Sequence, residues 1–365
     1  MKLAFLSPLY ARQGPFACVY VDTSRDVEDP ERAIELRWRH LKRDLESQGA
    51  DIATAGALAH VVGTDREVAG PHGQAVFAAH GRLALAEELP EPPVRDRARY
   101  TMLPDAMPLA LQHAPDIPYV AVAVHRVPEA GHGAMQQEIA VEMQSGRWPT
   151  TRVAGGDRTQ RRVPAGEWRQ GAARIGRELT ELADRSAAEA IVLCGDVWAR
   201  GVLTHELPGR LRDRIIGVEG VERPSEPGRA LLEGELGYLF RGRMTIEDRA
   251  RVEMFLARRA RGHGAAEGLM AAVGALRRGQ AEALLINDPP DLPVRLWAGI
   301  APKQIGLSEE ELGAYGVRSW GAEPADSALI RAVVGTRAEL IVVPREDLSL
   351  VDGVGVLLRH TSVRR

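Results

Sequence analysis

The chain has 365 residues, of which 45% are hydrophobic and 27% are charged, and its formal net charge is −3. This length predicts two or three domains, and the globular composition excludes global disorder. The slightly acidic balance excludes the uniformly basic coat of a general nucleic-acid packing protein, so any basic site must be local.

The N-terminal stretch MKLAFLSPLYARQG resembles a signal peptide only in part. Its apolar run is short and is interrupted by Pro8, so we expect it to belong to the folded protein. No apolar run approaches membrane-spanning length. Cys18 and Cys194 are the only cysteines and lie far apart, which argues against a disulfide framework and a CxxC metal site. We therefore expect a protein of the reducing cytosol that does not enter a membrane.

The first predicted domain spans residues 1–114. It contains the strands ACVYVDT, GQAVFAA and GRLALAEEL and a helix from Pro30 to Gly49. The apolar stripe of this helix is formed by Ile34, Trp38, Leu41 and Leu45. Four basic residues lie off the stripe and are candidate contacts to RNA, namely Arg37, Arg39, Lys42 and Arg43.

The second predicted domain spans residues 115–227. Strands are predicted at PYVAVAV, at Met135 to Met143, at AIVLCGD and at RIIGVEG. A helix from Gly166 to Arg185 follows a glycine-containing stretch that we expect to be a loop. The core face of this helix is formed by Trp168, Ala172, Ile175, Leu179 and Leu182. Strands that alternate with helices predict an α/β layer domain.

Residues 228–262 are charged and helical in pattern, and we expect a helical connector there, after the linker-like sequence ERPSEPG. The third predicted domain spans residues 263–365. It begins with a helix at AAEGLMAAVGALRRG, followed by the strands AEALLIN and VRLWAG. Two further helices, SEEELGAYG and PADSALIRAVVG, precede the strands AELIVVP and DGVGVLLRH. This alternation predicts a second α/β domain.

The stretch from Arg147 to Arg177 concentrates positive charge. It has eight arginines against Asp157 and Glu167, which leaves an excess of six positive charges in a chain whose net charge is −3. A local basic element on an acidic body is typical of a protein that offers one element to nucleic acid. The planar guanidinium of arginine suits phosphates and base edges. The alternative is a solvated segment whose arginines form ion pairs with acidic neighbours of the same fold.

The expected loop GGDRTQRR carries the candidate RNA contacts. Glycines allow a close approach of the backbone, and one glutamine lies between the arginines. The candidates in and beside this loop are Gly155, Gly156, Arg152, Arg158, Gln160, Arg161, Arg162 and Arg169.

The glycine pair, the glutamine and the long helix that follows together resemble the archaeo-eukaryotic class-one release factor and Pelota superfamily, in a bacterial form. The resemblance implies three domains: a decoding-site domain, a central RNase H-like domain with the Arg-rich loop, and a C-terminal α/β domain that contacts RNA or a GTPase. In release factors, a Gly-Gly-Gln loop before a long helix enters the peptidyl-transferase centre. Gln160 matches that glutamine and is the candidate catalytic residue.

The third domain carries the resemblance as well, in GLMAAVGALRRGQAEALLI and in the closing strand DGVGVLLRH. By resemblance, elongation factor Tu is a candidate partner of this domain. Two features depart from the release factors. Three residues separate Gly156 from Gln160, and the first domain has no Asn-Ile-Lys-Ser type motif for reading stop codons. The basic helix with Arg37 and Arg43 is left as a contact to decoding-site RNA that reads no sequence.

An RNase H-like domain also raises the question of a two-metal nuclease, which needs several converging carboxylates. Here His125 ends one strand and Asp196 follows another, and we expect a satisfied structural histidine and a helix cap. His132 and His263 lie in His-Gly turns without partner ligands at metal spacing. We therefore expect neither a metal nor another cofactor.

Three functions follow from these patterns. The first is a binder that occupies the A site of the bacterial ribosome as a tRNA mimic and acts in hibernation or stress without reading codons. The second is a rescue factor that hydrolyses peptidyl-tRNA through Gln160. The third is a scaffold protein that does not bind ribosomes.

Overall fold

The computed structural model describes residues 1–128, 137–219 and 229–359. Three sequence features therefore lie outside the described residues: His132, the linker ERPSEPG, and the start of the strand predicted at Met135. The description that follows takes the elements in chain order, and it confirms the predicted α/β fold class.

The first part of the chain, up to residue 115, forms a four-stranded antiparallel sheet with helices on both faces. The helices are α1 (Ser7–Tyr10), α2 (Pro30–Ser47), α3 (Ile52–Ala59) and α4 (Met107–Gln112). The strands are β1 (Phe16–Asp22), β2 (Gly73–Ala79), β3 (Arg82–Leu89) and β4 (Arg97–Thr101), in the order β3-β2-β1-β4. Alternate residues of β1 point to opposite faces: Val19 packs with Leu41 and Leu45 of α2, whereas Phe16 packs with α1 and α4.

The central part forms a five-stranded sheet in the order β7-β6-β5-β8-β9. The strands are β5 (Ile117–Pro128), β6 (Gln137–Trp148), β7 (Asp157–Pro164), β8 (Ala190–Gly195) and β9 (Ile215–Gly217). The helices are α5 (Thr151–Ala154), α6 (Trp168–Arg185), α7 (Val197–Glu206), α8 (Gly209–Arg212) and α9 (Glu233–Phe240). Strands β5 to β7 are antiparallel, while β8 and β9 run parallel to β5, which is the arrangement of RNase H-like sheets.

Both faces of the central sheet are covered. Helices α6 and α7 pack on the face that carries Val120 and Val122, and the predicted core face of α6, from Trp168 to Leu182, is buried there. Helix α9 packs on the opposite face, where Tyr119 and Trp148 contact Phe240. Strand β7 therefore has one side toward α6 and one side away from it, and it forms the edge of the sheet.

The last part begins with α10 (Ile246–Ala260) and contains two sheets. The strands are β10 (Ala265–Glu267), β11 (Ala281–Asp288), β12 (Arg295–Gly299), β13 (Ile305–Gly306), β14 (Ser319–Pro324), β15 (Glu339–Pro344) and β16 (Val354–Leu358). The helices are α11 (Leu269–Arg277), α12 (Glu309–Ala314) and α13 (Ala325–Thr336). One sheet has the order β10-β16-β11-β15, and the other has the order β13-β12-β14.

The prediction of one helix from residue 265 to 279 is wrong at its start. Residues 265–267 form β10, which pairs with β16, and Gly268 has φ +90° before α11 begins. The predicted connector, residues 228–262, contains α9 and α10, which are separate helices.

The backbone divides into two compact units. One contains Met1–Arg66, Pro71–Pro115 and Met244–Arg365, and the other contains Glu67–Gly70 and Asp116–Arg243. The first unit thus combines the predicted first and third domains through a shared core, in which Phe16 and Phe77 belong to the same cluster as Leu284 and Leu329. The predicted division into domains at residues 114 and 227 stays a prediction.

Candidate nucleic-acid interface

The glycine pair of the arginine-rich segment forms a turn between α5 and β7. Gly155 has φ +64°, a conformation that side chains with a Cβ rarely adopt. A Cβ on Gly156 would collide with the carbonyl oxygen of Ser145 in β6. Both glycines therefore have a structural reason in this turn, and their contact with RNA stays a prediction.

The prediction of a loop over GGDRTQRR is wrong for residues 157–164, which form the edge strand β7. Its register with β6 places Gln160 opposite Glu142 and Arg162 opposite Ala140. Charged residues are common on edge strands because they discourage pairing with other chains. They also hide the alternation of apolar and polar residues by which a strand is recognised in a sequence.

Five of the eight arginines between residues 147 and 177 contact carboxylates. The pairs are Arg147 Nη2 with Asp116 at 2.8 Å, Arg152 Nε with Glu233 at 2.8 Å, Arg158 Nε with Glu142 at 3.2 Å, Arg161 Nε with Glu178 at 3.1 Å, and Arg162 Nη1 with Glu138 at 3.6 Å. All five carboxylates lie outside the arginine-rich segment. They offset five of its six excess positive charges, so this segment is much less basic in the fold than in the sequence.

The pairs differ in their exposure. Arg152 is 14% exposed and also lies over the ring of Trp148, with 5.7 Å from its Cζ to the ring centroid. Arg161 and Arg162 remain 43% and 50% exposed, respectively. The hydrogen bond with Asp116 raises the pKa of Arg147. Arg152 is thus part of the packing, whereas Arg161 and Arg162 are surface residues.

The other three arginines, Arg169, Arg174 and Arg177, lie on α6 and are exposed. Within the ranges 1–128, 137–219 and 229–359, no carboxylate lies within ion-pair distance of them. At 3.6 residues per turn, the three positions fall within an arc of about 140° around the helix axis. The buried stripe of α6 faces the sheet, so these arginines form a positive surface on its outer side. We call this set the α6 arginines.

Gln160 lies in the middle of β7 and is exposed. Its side-chain amide donates to Glu142 Oε1 over 3.3 Å, and the same glutamate accepts from Arg158. Because side chains alternate along a strand, Gln160 shares the face that points away from α6 with Arg158 and Arg162. Its role in hydrolysis stays a prediction.

The four basic candidates of α2 also contact neighbours. The contacts are Arg37 Nη2 with Asp22 Oδ2 at 2.8 Å, Arg39 with Glu35, Lys42 Nζ with Glu46 at 3.8 Å, and Arg43 Nε with the carbonyl oxygen of Arg39 at 3.3 Å. The predicted core stripe of α2 is confirmed, with Ile34, Leu41 and Leu45 buried and Trp38 partly buried. The contact of this helix with decoding-site RNA stays a prediction.

Asp196 caps α7, as predicted, because its Oδ1 accepts from the backbone N–H of Ala199 over 2.8 Å. Burial raises its pKa, but hydrogen bonds from Ala199 and Arg126 outweigh burial and hold the pKa below its ordinary value. The expectation of a satisfied His125 is wrong, since its buried Nε2 has no hydrogen-bond partner among the described residues. The part of the chain that the structure describes contains no group of three or more residues suited to hold a metal. It also contains no helix long and apolar enough to cross a membrane.

The sequence analysis missed the carboxylates that pair with the arginines of β7. Glu138 and Glu142 lie four residues apart on one face of β6, while Glu178 lies on α6. The available signal was the pair of acidic residues with even spacing in a predicted strand. The analysis also counted Arg174 and Arg177 without selecting them, although their spacing of three places them on one helix face.

Comparison with protein families gives one match within the chain. Residues 118–261 match the model of the bacterial archaeo-eukaryotic release factor family 2. The matched residues include β7 and α6, and therefore both groups of arginines.

Comparison with whole proteins gives distant relatives. The protein Rv2629 of Mycobacterium tuberculosis H37Rv is 28% identical over 387 residues, which cover 100% of this chain and 98% of the relative. Archaeoglobus fulgidus Pelota is 14% identical, with a TM-score of 0.35 and 80% of each chain covered. Saccharomyces cerevisiae Dom34, a translation termination-like factor, is 10% identical, with a TM-score of 0.36 and 79% of this chain and 81% of Dom34 covered.

Proposed function

Since the chain belongs to the bacterial branch of the archaeo-eukaryotic release factor superfamily, we propose that it is a ribosome-associated factor. In this proposal the protein occupies the A site of the bacterial ribosome as a tRNA mimic, without reading codons. Its role is to hold idle ribosomes during hibernation or stress. Elongation factor Tu is the proposed partner of the part of the chain after residue 263.

The observation that carries this proposal is the set of α6 arginines within the family-matched segment. Arg169, Arg174 and Arg177 are exposed and have no carboxylate at ion-pair distance among the described residues. Such a surface attracts phosphates, because each contact releases counterions from the nucleic acid. The rest of the chain is acidic on balance, so the attraction is confined to one element.

The paired arginines of β7 also fit an RNA contact. A surface ion pair contributes only about 0–1 kcal/mol to stability. An RNA phosphate accepts two hydrogen bonds from one guanidinium and can replace a carboxylate at little cost. Arg161 and Arg162, about half exposed in their pairs, are therefore a second group of phosphate ligands. We expect them to contribute less than the α6 arginines, because their carboxylate partners compete.

The proposal is for binding without hydrolysis. Gln160 lies within a hydrogen-bonded strand, and its amide donates to Glu142. Positioning a water molecule against an ester requires a side chain within hydrogen-bond distance of that water. A glutamine held against a neighbouring glutamate in a paired strand is poorly placed for this task, so binding is the function that we favour.

The test uses purified protein and bacterial 70S ribosomes in a sucrose gradient. We expect the protein to co-sediment with ribosomes whose A site is empty, and to do so equally with a sense codon or a stop codon there. Filling the A site with tRNA should displace it. Equal binding to empty and tRNA-filled ribosomes would contradict the A-site proposal, and the absence of binding in low salt would favour the scaffold hypothesis.

The role of elongation factor Tu is tested in the same gradient. Adding the factor with GTP should increase the amount of protein on empty ribosomes. Removing the C-terminal half of the chain is unsuitable as a control, because its core is shared with the first 115 residues. The control is elongation factor Tu loaded with GDP, and an equal effect of both nucleotides would contradict delivery by the active GTPase.

A further inference from the structure

A cavity of about 170 Å³ lies in the unit that contains the first and last parts of the chain. Its polar lining comes from Tyr10, Arg12, Gln13 and Arg331, and its wall also includes Gly14 and Pro302. A cavity holds one water molecule for about every 10–15 Å³ of such volume. This space is therefore large enough for a small ligand, and we call it the Arg331 cavity.

Arg331 is a buried charged group in the cavity wall. It lies on α13 and is 6% exposed. Its Nη1 donates to the carbonyl oxygen of Gly299 over 3.0 Å, and its Nη2 donates to that of Ile300. These carbonyls fix the plane of the guanidinium, but they are neutral and do not cancel its charge. Burial lowers the pKa of Arg331, and Tyr10 acts in the opposite direction.

Tyr10 supplies a hydroxyl that is ready to donate. The hydroxyl oxygen is buried and has no hydrogen-bond partner among the described residues. Buried polar groups are nearly always hydrogen-bonded, because burial without a partner costs free energy. A missing ligand is one reason for such an exception. Burial raises the pKa of Tyr10 well above its ordinary value, so the hydroxyl stays protonated and acts as a donor.

The entrance of the cavity adds a second positive charge. Arg12 is exposed and has no ion-pair partner in the described ranges. Gly14 shapes the wall beside it, since a Cβ there would collide with the carbonyl oxygen of Met102. The nearby carboxylate Asp105 does not line the cavity and is itself paired with Arg97 at 2.9 Å. The cavity thus has a positive floor and a positive entrance.

We propose that the Arg331 cavity binds a small phosphate-bearing molecule, with Arg331 and Tyr10 donating to the phosphate oxygens and Arg12 closing the entrance. A phosphate offers several strong acceptors, which match a guanidinium fork and a hydroxyl donor. The phosphate is either inorganic or a monoester such as a nucleotide. The inference depends on the cavity alone, and it stands or falls independently of ribosome binding.

The experiment is isothermal titration calorimetry on the full chain, with thermal unfolding in parallel. The probes are inorganic phosphate and a nucleoside 5′-monophosphate, with chloride at matched ionic strength as the control. A ligand that binds only the folded state raises the midpoint of unfolding. We expect stabilisation by at least one phosphate probe, and the probe with the higher affinity identifies the source of the phosphate.

Tyr10→Phe separates binding from folding. Without ligand, its unfolding midpoint should equal or exceed that of the wild type, because the change removes an unpartnered buried hydroxyl. Its phosphate affinity should fall by about three- to tenfold. Arg12→Ala at the entrance should weaken binding by a similar factor. Two matched controls, Tyr238→Phe and Arg249→Ala, alter exposed residues that do not line the cavity and should leave the affinity unchanged.

Two outcomes would overturn the inference. One is the absence of binding by the wild type at about 10 mM of either phosphate probe, a concentration well above a millimolar dissociation constant. The other is wild-type affinity in both Tyr10→Phe and Arg12→Ala, which would place any phosphate elsewhere. Arg331→Met is not needed for the decision, because loss of this buried group could unfold the protein by itself.

Discussion

Strand β7 and helix α6 are neighbours in the sequence and are both rich in arginine, yet the fold treats them differently. The arginines of β7 lie beside carboxylates of β6 and α6, whereas the α6 arginines have no such neighbour among the described residues. The partners Glu142 and Glu138 are 16 and 24 residues away from their arginines in sequence. A count of charge along the chain therefore overstates the basic character of the strand and overlooks that of the helix.

This difference predicts a division of roles. The α6 arginines are available to a phosphate at once, whereas those of β7 must first leave a carboxylate. Because each surface pair is weak, this exchange reduces the net gain without preventing it. The predictions below test the division, beginning with the largest expected effect.

The largest effect is expected for the triple variant Arg169→Ala, Arg174→Ala and Arg177→Ala. If each arginine contacts a phosphate, ribosome affinity should fall by at least about tenfold at physiological salt, because each lost contact removes counterion release. The slope of log affinity against log salt should become shallower by roughly two to three, at about 0.7–0.9 for each phosphate contact. Filter binding or gradient sedimentation at several salt concentrations measures both quantities.

A matched control removes the same charge elsewhere, through Arg249→Ala, Arg261→Ala and Arg318→Ala. These residues are also exposed, and they lie outside the family-matched segment or at its end. The control should keep most of the affinity and salt slope. Equal weakening by both triple variants would mean that net charge, and not α6, governs binding.

The second prediction concerns the turn that begins β7. Gly156→Ala should lower the free energy of unfolding by about 1–3 kcal/mol, because the added Cβ collides with the carbonyl oxygen of Ser145 and the backbone must shift. Chemical denaturation measures this change. The control Gly166→Ala has no atom within 4 Å of its added Cβ and should be nearly neutral. Equal stability of the two variants would contradict the turn geometry.

The same variant sharpens the comparison between strand and helix. A disturbed turn at Gly156 weakens the pairing of β7 with β6, but it leaves α6 in place through Trp168 and Ile175. Ribosome binding should therefore decline less in Gly156→Ala than in the triple variant of α6. A complete loss of binding in a folded Gly156→Ala protein would move the main contact from α6 to the start of β7.

The sequence predicted the central sheet and α6 because their residues are buried on a regular period. Strand β5 is a continuous apolar run, and the helix repeats its core residues from Trp168 to Leu182. Strand β7 could not be recognised in this way. Only Val163 of this strand enters the core, while arginines occupy both of its faces. A short stretch of glycine and charge is typical of a loop, and only the register with β6 makes it a strand.

The candidate site was limited by the same cause. Ion pairs between strands depend on register, which the sequence does not state when an edge strand lacks an apolar pattern. Helix periodicity, in contrast, was sufficient to place Arg174 and Arg177 on one exposed face. Sequence reasoning therefore located the correct segment for a basic surface but selected the strand over the helix. The start of α11 shows the same limit, since the short strand β10 precedes it without a pattern of its own.

The third prediction releases the arginines of β7 from their partners. Glu138→Gln with Glu142→Gln should raise ribosome affinity by about two- to fivefold, because Arg158 and Arg162 no longer exchange a carboxylate for a phosphate. The free energy of unfolding should change by less than about 1 kcal/mol. Competition binding measures the first quantity, and urea denaturation measures the second.

Its control is Asp184→Asn, which frees Arg210 at the other end of α6. This change alters the net charge in the same direction for each substituted residue, but it acts away from β7. The control should leave the affinity nearly unchanged. A gain equal to that of the glutamate variants would show that binding responds to overall charge, and unchanged binding in the glutamate variants would remove β7 from the contact surface.

The smallest effect is expected for Gln160→Ala. Gln160 is exposed, and its listed contact is one hydrogen bond from its amide to Glu142 over 3.3 Å. A surface change of this kind alters the free energy of unfolding by no more than about 0.5 kcal/mol. Ribosome affinity should stay the same, since the neighbouring arginines retain their charge. A binding assay combined with a peptidyl-tRNA release assay on stalled ribosomes measures both possible roles of this residue.

The release assay separates the two functions most clearly, because hydrolysis depends on one side chain and binding depends on many. A rescue enzyme that uses Gln160 would release peptide as the wild type and lose release in Gln160→Ala while still binding. Thr159→Ala is the matched control, since it truncates the adjacent side chain on the other face of β7. Release that is lost in Gln160→Ala and kept in Thr159→Ala would replace the binding function with hydrolysis. It would also mean that β7 leaves its pairing with β6 on the ribosome, because the paired strand holds this glutamine against Glu142.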